Sequence, residues 1–126
     1  MDRKLLPVVA AGAVALLYAG SLVQEALRES QDMVSLYEQR FAPLRAELSG
    51  TAAVGYLTDL PPNDISAHTE LRLLQYAVAP VIVVKGAEQP LVIGNFHTAS
   101  GVTASTRDKG LMLVKDLGNG VMLYRR

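Results

Sequence analysis

TAAVGYLTDLPPNDISAHTELRLLQYAVAPVIVVK, residues 51–85, is the stretch on which the fold turns. TAAVGYLT reads as a buried strand, and VIVVK, entered through Pro80, reads as a second. Between them, SAHTELRLLQYAVA carries apolar residues at helical spacing, with Leu71, Leu74 and Val78 on one side and Ser66 or Asp64 placed to cap the first turn. The order is β-α-β. A crossover of this length implies two parallel strands joined in the right-handed sense, with the helix laid on the sheet.

Towards the C-terminus, GAEQP (86–90) is a turn and PLVIGNF (90–96) a third strand. Residues 97–109, HTASGVTASTRDK, are small and polar and suit a short helix or a loop. LMLVKDL and VMLYRR then flank Gly118-Asn119-Gly120, where Asn-Gly supplies the positive φ angles of a tight turn, so the chain ends in a β-hairpin. The expected class is α/β or α+β, with a globular domain over residues 51–126.

Towards the N-terminus the pattern changes. Residues 24–50 form an amphipathic neck in which Val23, Leu27, Ser30, Val34, Tyr37, Phe41, Leu44 and Leu48 recur in steps of four and three. Two readings follow: a coiled-coil stalk that self-associates, or a helix that packs on its own domain. Ser30 interrupts the seam, and Pro43 should break or kink the helix and start a short second one, PLRAELS, closed by Gly50. That favours packing on the domain.

Residues 1–23 hold the apolar excess of a chain that is 50% hydrophobic over 126 residues. Leu5 to Val23, LLPVVAAGAVALLYAGSLV, is nineteen residues without a charge. As a helix it extends roughly 28 Å, about one bilayer core. Pro7 falls in its first turn, where a missing N–H costs little. A cleaved signal peptide is the rival, with Ala19 and Ser21 as small residues near a cleavage point, but the run is longer than a signal core and continues as helix. Arg3 and Lys4 before the span place the N-terminus in the cytoplasm and the domain outside, most simply periplasmic in a bacterium with two membranes. Ala11, Gly12, Ala15, Ala19 and Gly20 make a small-residue stripe on which a partner membrane helix could approach closely.

Composition excludes several chemistries. There is no cysteine, hence no disulfide, thiolate metal site or cysteine nucleophile. Of the twelve residues of each charge, two basic and one acidic precede residue 24, leaving the remainder at about −1. No basic field argues for nucleic acid or anionic lipid.

The candidate site residues lie beside the first and third strands. Asp59 follows the first strand, at the edge where open α/β sheets hold ligands, and the next helix begins near Asp64. Against a phosphate site, the loop lacks a glycine-rich fingerprint, and Pro61 and Pro62 remove two N–H donors, so a stiffened turn is the simpler reading. His68, near Glu70 and Asp64 in the first turn of that helix, and His97, after the third strand, could bind zinc together with a carboxylate, or one could act as a general base, yet they lie 29 residues apart without ligand-type spacing. Ser100, Thr103, Ser105 and Thr106 offer hydroxyls near His97 but no nucleophile elbow. No metal or cofactor is expected.

VGYLTD, LLQYAVAP and VIVV, with FAPLRAEL ahead of them, span residues 41–85. In that order they resemble a small extracytoplasmic α/β domain of bacterial membrane proteins, some of them associated with membrane glycosyltransferases of the protein-mannosyltransferase-like class. The multi-span catalytic portion of such transferases has no counterpart here, so the resemblance implies a partnership and not the transferase activity. The expected role is a single-pass accessory subunit, without catalysis of its own, that docks onto integral membrane partners in the cell envelope. The alternative is an extracytoplasmic module that binds a sugar phosphate or similar anion at Asp59, Asp64, His68 and His97.

Overall fold

The computed structural model describes residues 6–126. Arg3, Lys4 and Leu5, which set the orientation and begin the apolar run, lie outside the described residues. The chain divides into two units, the first ending at Ser35 and the second running from Leu36 to Arg126.

Helix α1 (Leu6–Glu47) belongs to both units. Every side chain from Val9 to Leu36 is exposed, the Ala11, Gly12, Ala15, Ala19 and Gly20 stripe included. No atom comes within 4 Å of a Cβ built on Gly12 or Gly20. The helix is long and apolar enough to cross a membrane, a test that a signal sequence near an N-terminus also passes.

Pro43 does not break α1, contrary to the expectation of two helices; the helix runs on to Glu47, and the chain turns at Gly50 with φ +78°. The reason is a balance of magnitudes. Proline inside a helix costs about 3 kcal/mol, whereas Phe41, Leu44 and Leu48 are 0–1% exposed on either side of it. Burying each of the three contributes about 2 kcal/mol, which exceeds the cost of the lost bond. Arg45 adds a hydrogen bond from Nε to the carbonyl of Ala77.

The second unit is a mixed five-stranded sheet, in the order β2-β1-β3-β5-β4. β1 (Ala53–Thr58) pairs in parallel with β2 (Ile82–Lys85) on one side and β3 (Leu91–Asn95) on the other. β5 (Val121–Arg125) is antiparallel to β3 and to β4 (Met112–Gly118). The expected parallel pair and terminal hairpin are both present, with Asn119 and Gly120 at φ 55° and 78° in the turn. Helix α2 (Ile65–Val78) joins β1 to β2, capped by Asp64, whose side chain accepts from the amide of Ser66. Helix α3 (Ala99–Thr106) settles the polar stretch as a short helix, capped by Thr98.

One connection departs from the usual rule that parallel strands need a dozen or more residues between them. β2 and β3 flank β1 and run the same way, yet only residues 86–90 join them. The stagger permits it, because Lys85 lies level with Tyr56 while Leu91 falls just below Val92, the partner of Gly55. The chain turns back at Gly86, which exchanges backbone hydrogen bonds with Tyr56, and passes close over Gly55, where a Cβ would lie 2.5 Å from the Gly86 carbonyl oxygen.

The two faces of the sheet bury different clusters. On one, Phe41 and Leu44 of α1, Leu48 just after it, and Leu74, Ala77 and Val78 of α2 pack with Val54, Ile93, Val121 and Leu123. On the other, Val92, Phe96 and Tyr124 pack with Leu57, Val102, Leu111 and Met122. Leu71 joins the first cluster partly buried, so the three helix positions assigned to the sheet all reach it.

Candidate functional site

β1 and β3 are adjacent and parallel, with Thr58 level with Asn95, so the residues that follow them leave the sheet side by side. Those residues are Asp59 and His97. Asp59 accepts from the amide of His97 at 3.0 Å, the amide of Thr98 at 2.9 Å and the Thr98 hydroxyl at 3.0 Å. The Thr98 hydroxyl in turn accepts from the amide of Gly101, capping α3. Gly101 is required here, because a Cβ on it would collide with the Asp59 carboxylate. Asp59 therefore closes the first strand and also anchors the loop after the third, 38 residues later.

The His97 ring lies between two carboxylates. Its Nδ1 is 2.8 Å from Asp59 Oδ1 and its Nε2 is 3.0 Å from Glu70 Oε1. The carboxylate side chains are only 8% and 7% exposed, the imidazole 32%. A neutral imidazole carries one N–H and can donate to one partner only. Two carboxylate acceptors therefore select the doubly protonated imidazolium.

Behind the ring lies a buried polar cluster. Glu70 accepts from the Tyr37 hydroxyl at 2.9 Å and from Asn95 Nδ2 at 2.6 Å. Asn95, wholly buried, also donates to the Tyr56 hydroxyl at 3.1 Å and accepts from Arg40 Nη2 at 2.7 Å. α1, α2, β1 and β3 thus each contribute to one network holding two anions, Asp59 and Glu70, and two cations, His97 and Arg40. Arg40 Nε is buried without a hydrogen-bond partner.

Titration follows from these contacts. Burial opposes the charge on Asp59, but hydrogen bonds from His97 and Thr98 outweigh it and hold the carboxyl below its ordinary value. Burial likewise opposes the charge on His97, but the hydrogen bonds and negative charges of Asp59 and Glu70 prevail and raise it. Burial, chiefly, pushes up Tyr37 and Tyr56, with Glu70 adding to both. Stability linked to His97 is full below about pH 6.5 and is lost as the pH rises through the raised value; stability linked to Asp59 is full above about pH 3.9 and is lost as the pH falls through the depressed one. Denaturant midpoints measured against pH are expected to plateau between those limits. His97→Gln should remove the decline that begins near pH 6.5.

Of the four residues proposed to bind a ligand, Asp59 and His97 meet; Asp64 is spent on capping α2, and His68 is exposed. Glu70, Asn95, Tyr56, Tyr37 and Arg40 complete the network without having been assigned to it, although Glu70 stands two residues from His68 in sequence. The hydroxyls of Ser100 and Thr106 bond within α3 and its cap. Among the described residues no group of three histidines or carboxylates is placed to hold a metal. A cavity of about 220 Å³ beside the ring is walled by Phe96, His97, Ala99, Val102 and Met122. A second, of about 330 Å³, is bordered by Glu88, Asp108, Lys109 and Arg126, with Arg126 paired to Glu88 at 2.6 Å.

No protein-family model matches the chain, and no curated protein or solved structure matches it.

Proposed function

We propose that this chain is a single-pass membrane-anchored accessory subunit that docks onto a larger integral membrane assembly and performs no catalysis of its own. The observation that carries this reading is the distribution of unpartnered apolar surface. At one edge of the sheet, Gln75 covers part of β2, accepting from the Val83 amide and donating to the Val81 carbonyl, while Ile82 and Val84 stay 60% and 41% exposed. The opposite edge strand, β4, presents Met112, Leu113 and Val114 at 46–69% exposure. An open apolar edge is a template for another chain. The exposed small-residue stripe of α1 offers a second contact, of the kind that suits a neighbouring helix in lipid.

The polar chemistry supports the same reading. Both ring nitrogens of His97 face carboxylates of its own chain, so this imidazole is not free to act as a base on a neighbouring hydroxyl. The rival reading, a module for a sugar phosphate, needs polar groups converging on an open cleft. The cavity beside His97 is mainly apolar, and the other balances two acidic against two basic side chains. In this reading the N-terminus is cytoplasmic, the second unit lies outside the bacterial inner membrane, and the resemblance over residues 41–85 points to a partner in glycan assembly.

Gentle detergent extraction from native membranes, affinity purification and mass spectrometry test it. A stoichiometric multi-span partner is expected with the wild-type chain, and Ala15→Leu or Leu113→Lys should deplete it at least tenfold, about 1.4 kcal/mol of binding free energy. Recovery of the chain alone under conditions that preserve other membrane complexes overturns the reading.

A further inference from the structure

We propose that His97 is a proton-operated latch over the carboxyl edge of β1 and β3: charged, it bridges Asp59 to Glu70 and seals the polar cluster behind it; neutral, it releases Glu70 and opens that cluster to water. The inference stands on the two-sided geometry and does not depend on the subunit reading.

The groups facing the ring come from every neighbouring element. β1 supplies Asp59 and, deeper, Tyr56; α2 supplies Glu70; α1 supplies Tyr37 and Arg40. α3 has no titratable residue. With His97 charged, two anions meet two cations. Loss of its proton leaves Arg40 as the one cation, and a bare ring nitrogen must then confront a carboxylate.

The contact that yields is the one to Glu70. Asp59 receives the backbone N–H groups of His97 and Thr98 as well as the ring, so the Nδ1 side is held by the loop itself. Glu70 retains Tyr37 and Asn95 without the ring, and the imidazole, already a third exposed, has an outward path. Phe41, Leu44 and Leu48 are fully buried and keep α1 docked in both states, so the opening is local. The upward displacement of the His97 pKa agrees with a closed state that binds the proton more tightly.

The chain contains two histidines, His97 and the exposed His68. The test is a pH titration of the full chain, labelled with ¹⁵N at histidine and asparagine side chains, in detergent micelles. His97 is expected to keep both ring N–H groups well above about pH 6.5, the ordinary histidine midpoint. As it titrates, solvent exchange of the Asn95 side-chain amide, relative to that of the exposed Asn63, should rise about tenfold for each pH unit by which the His97 midpoint lies above about 6.5. Glu70→Gln should lower the His97 midpoint and flatten the exchange ratio. The latch is overturned if His97 titrates at or below about pH 6.5, or if it titrates above that while the Asn95 to Asn63 ratio stays constant. Should Glu70→Gln fail to fold, the wild-type titration alone decides.

Discussion

Phe41→Ala is expected to destabilise the second unit by about 3–5 kcal/mol, the range for removing a fully buried aromatic side chain. Phe41 is 0% exposed in the cluster under the sheet, and its ring stacks on Tyr37 with centroids 5.9 Å apart. A domain of ordinary size has about 5–15 kcal/mol in total, so a loss of this order takes away a large share. Leu36→Ala, five residues earlier on the same helix but 63% exposed, is the control and should change stability by about 0.5 kcal/mol or less. Urea unfolding of the full chain in micelles, followed by tyrosine fluorescence, makes the comparison. Equal midpoints for the two variants would show that residues 37–48 are not integral to the domain.

The second large effect falls on Asn95. Leucine at this position has nearly the same shape and no polar atoms, and it removes one partner from each of three groups at once: the Glu70 carboxylate, the Arg40 guanidinium and the Tyr56 hydroxyl. Leaving a buried charge without its partner costs about 3–5 kcal/mol, and the Tyr56 hydroxyl adds a smaller penalty. The sum is moderated because Glu70 keeps Tyr37 and His97. Asn95→Leu is therefore expected to lose about 3 kcal/mol. Tyr56→Phe in the same background should cost less than it does alone, because the hydroxyl has already lost its donor. Strict additivity of the two substitutions would mean that Asn95 and Tyr56 are not coupled.

These two substitutions separate the kinds of force that hold the domain. Phe41 lies in an apolar layer where area removed from water decides. Asn95 lies at the centre of a polar layer that is stable only because its members satisfy one another. The layers share α1: Phe41 and Leu44 face the sheet, while Tyr37 and Arg40 reach the network one turn away. A helix that leaves an exposed apolar segment thus ends as a structural part of the domain that follows it.

Much of the architecture is legible along the chain because local spacing encodes it. The period of SAHTELRLLQYAVA puts Leu71, Leu74 and Val78 on one face, and the Asn119-Gly120 turn fixes the last hairpin before any packing is considered. Pro43 misleads for a definable reason: its cost is local, but the burial that outweighs it comes from residues 54–123, which helix periodicity does not register. The antiparallel placement of β5 beside β3 is hidden for a similar reason, since nothing in PLVIGNF or VMLYRR names a partner.

The candidate site divides along the same line. Asp59 and His97 each follow an apolar strand, and that alone assigns both to the carboxyl edge of a parallel sheet. His68 suggested itself through residue type, yet it projects from the exposed side of α2, whereas Glu70, two residues on, turns inward. The sequence by itself determined the five strands and the helix between the first two, the β-α-β unit, the terminal hairpin and a long apolar N-terminal helix, all of which depend on spacing within a few turns. Only the tertiary structure decided that β3 would fall beside β1, that Pro43 would be carried through an unbroken helix, and that Glu70 would complete the pair of carboxylates around His97. Each of those rests on contacts between residues far apart in the chain, where the free energy is set by burial and charge pairing in three dimensions and not by any pattern along the chain.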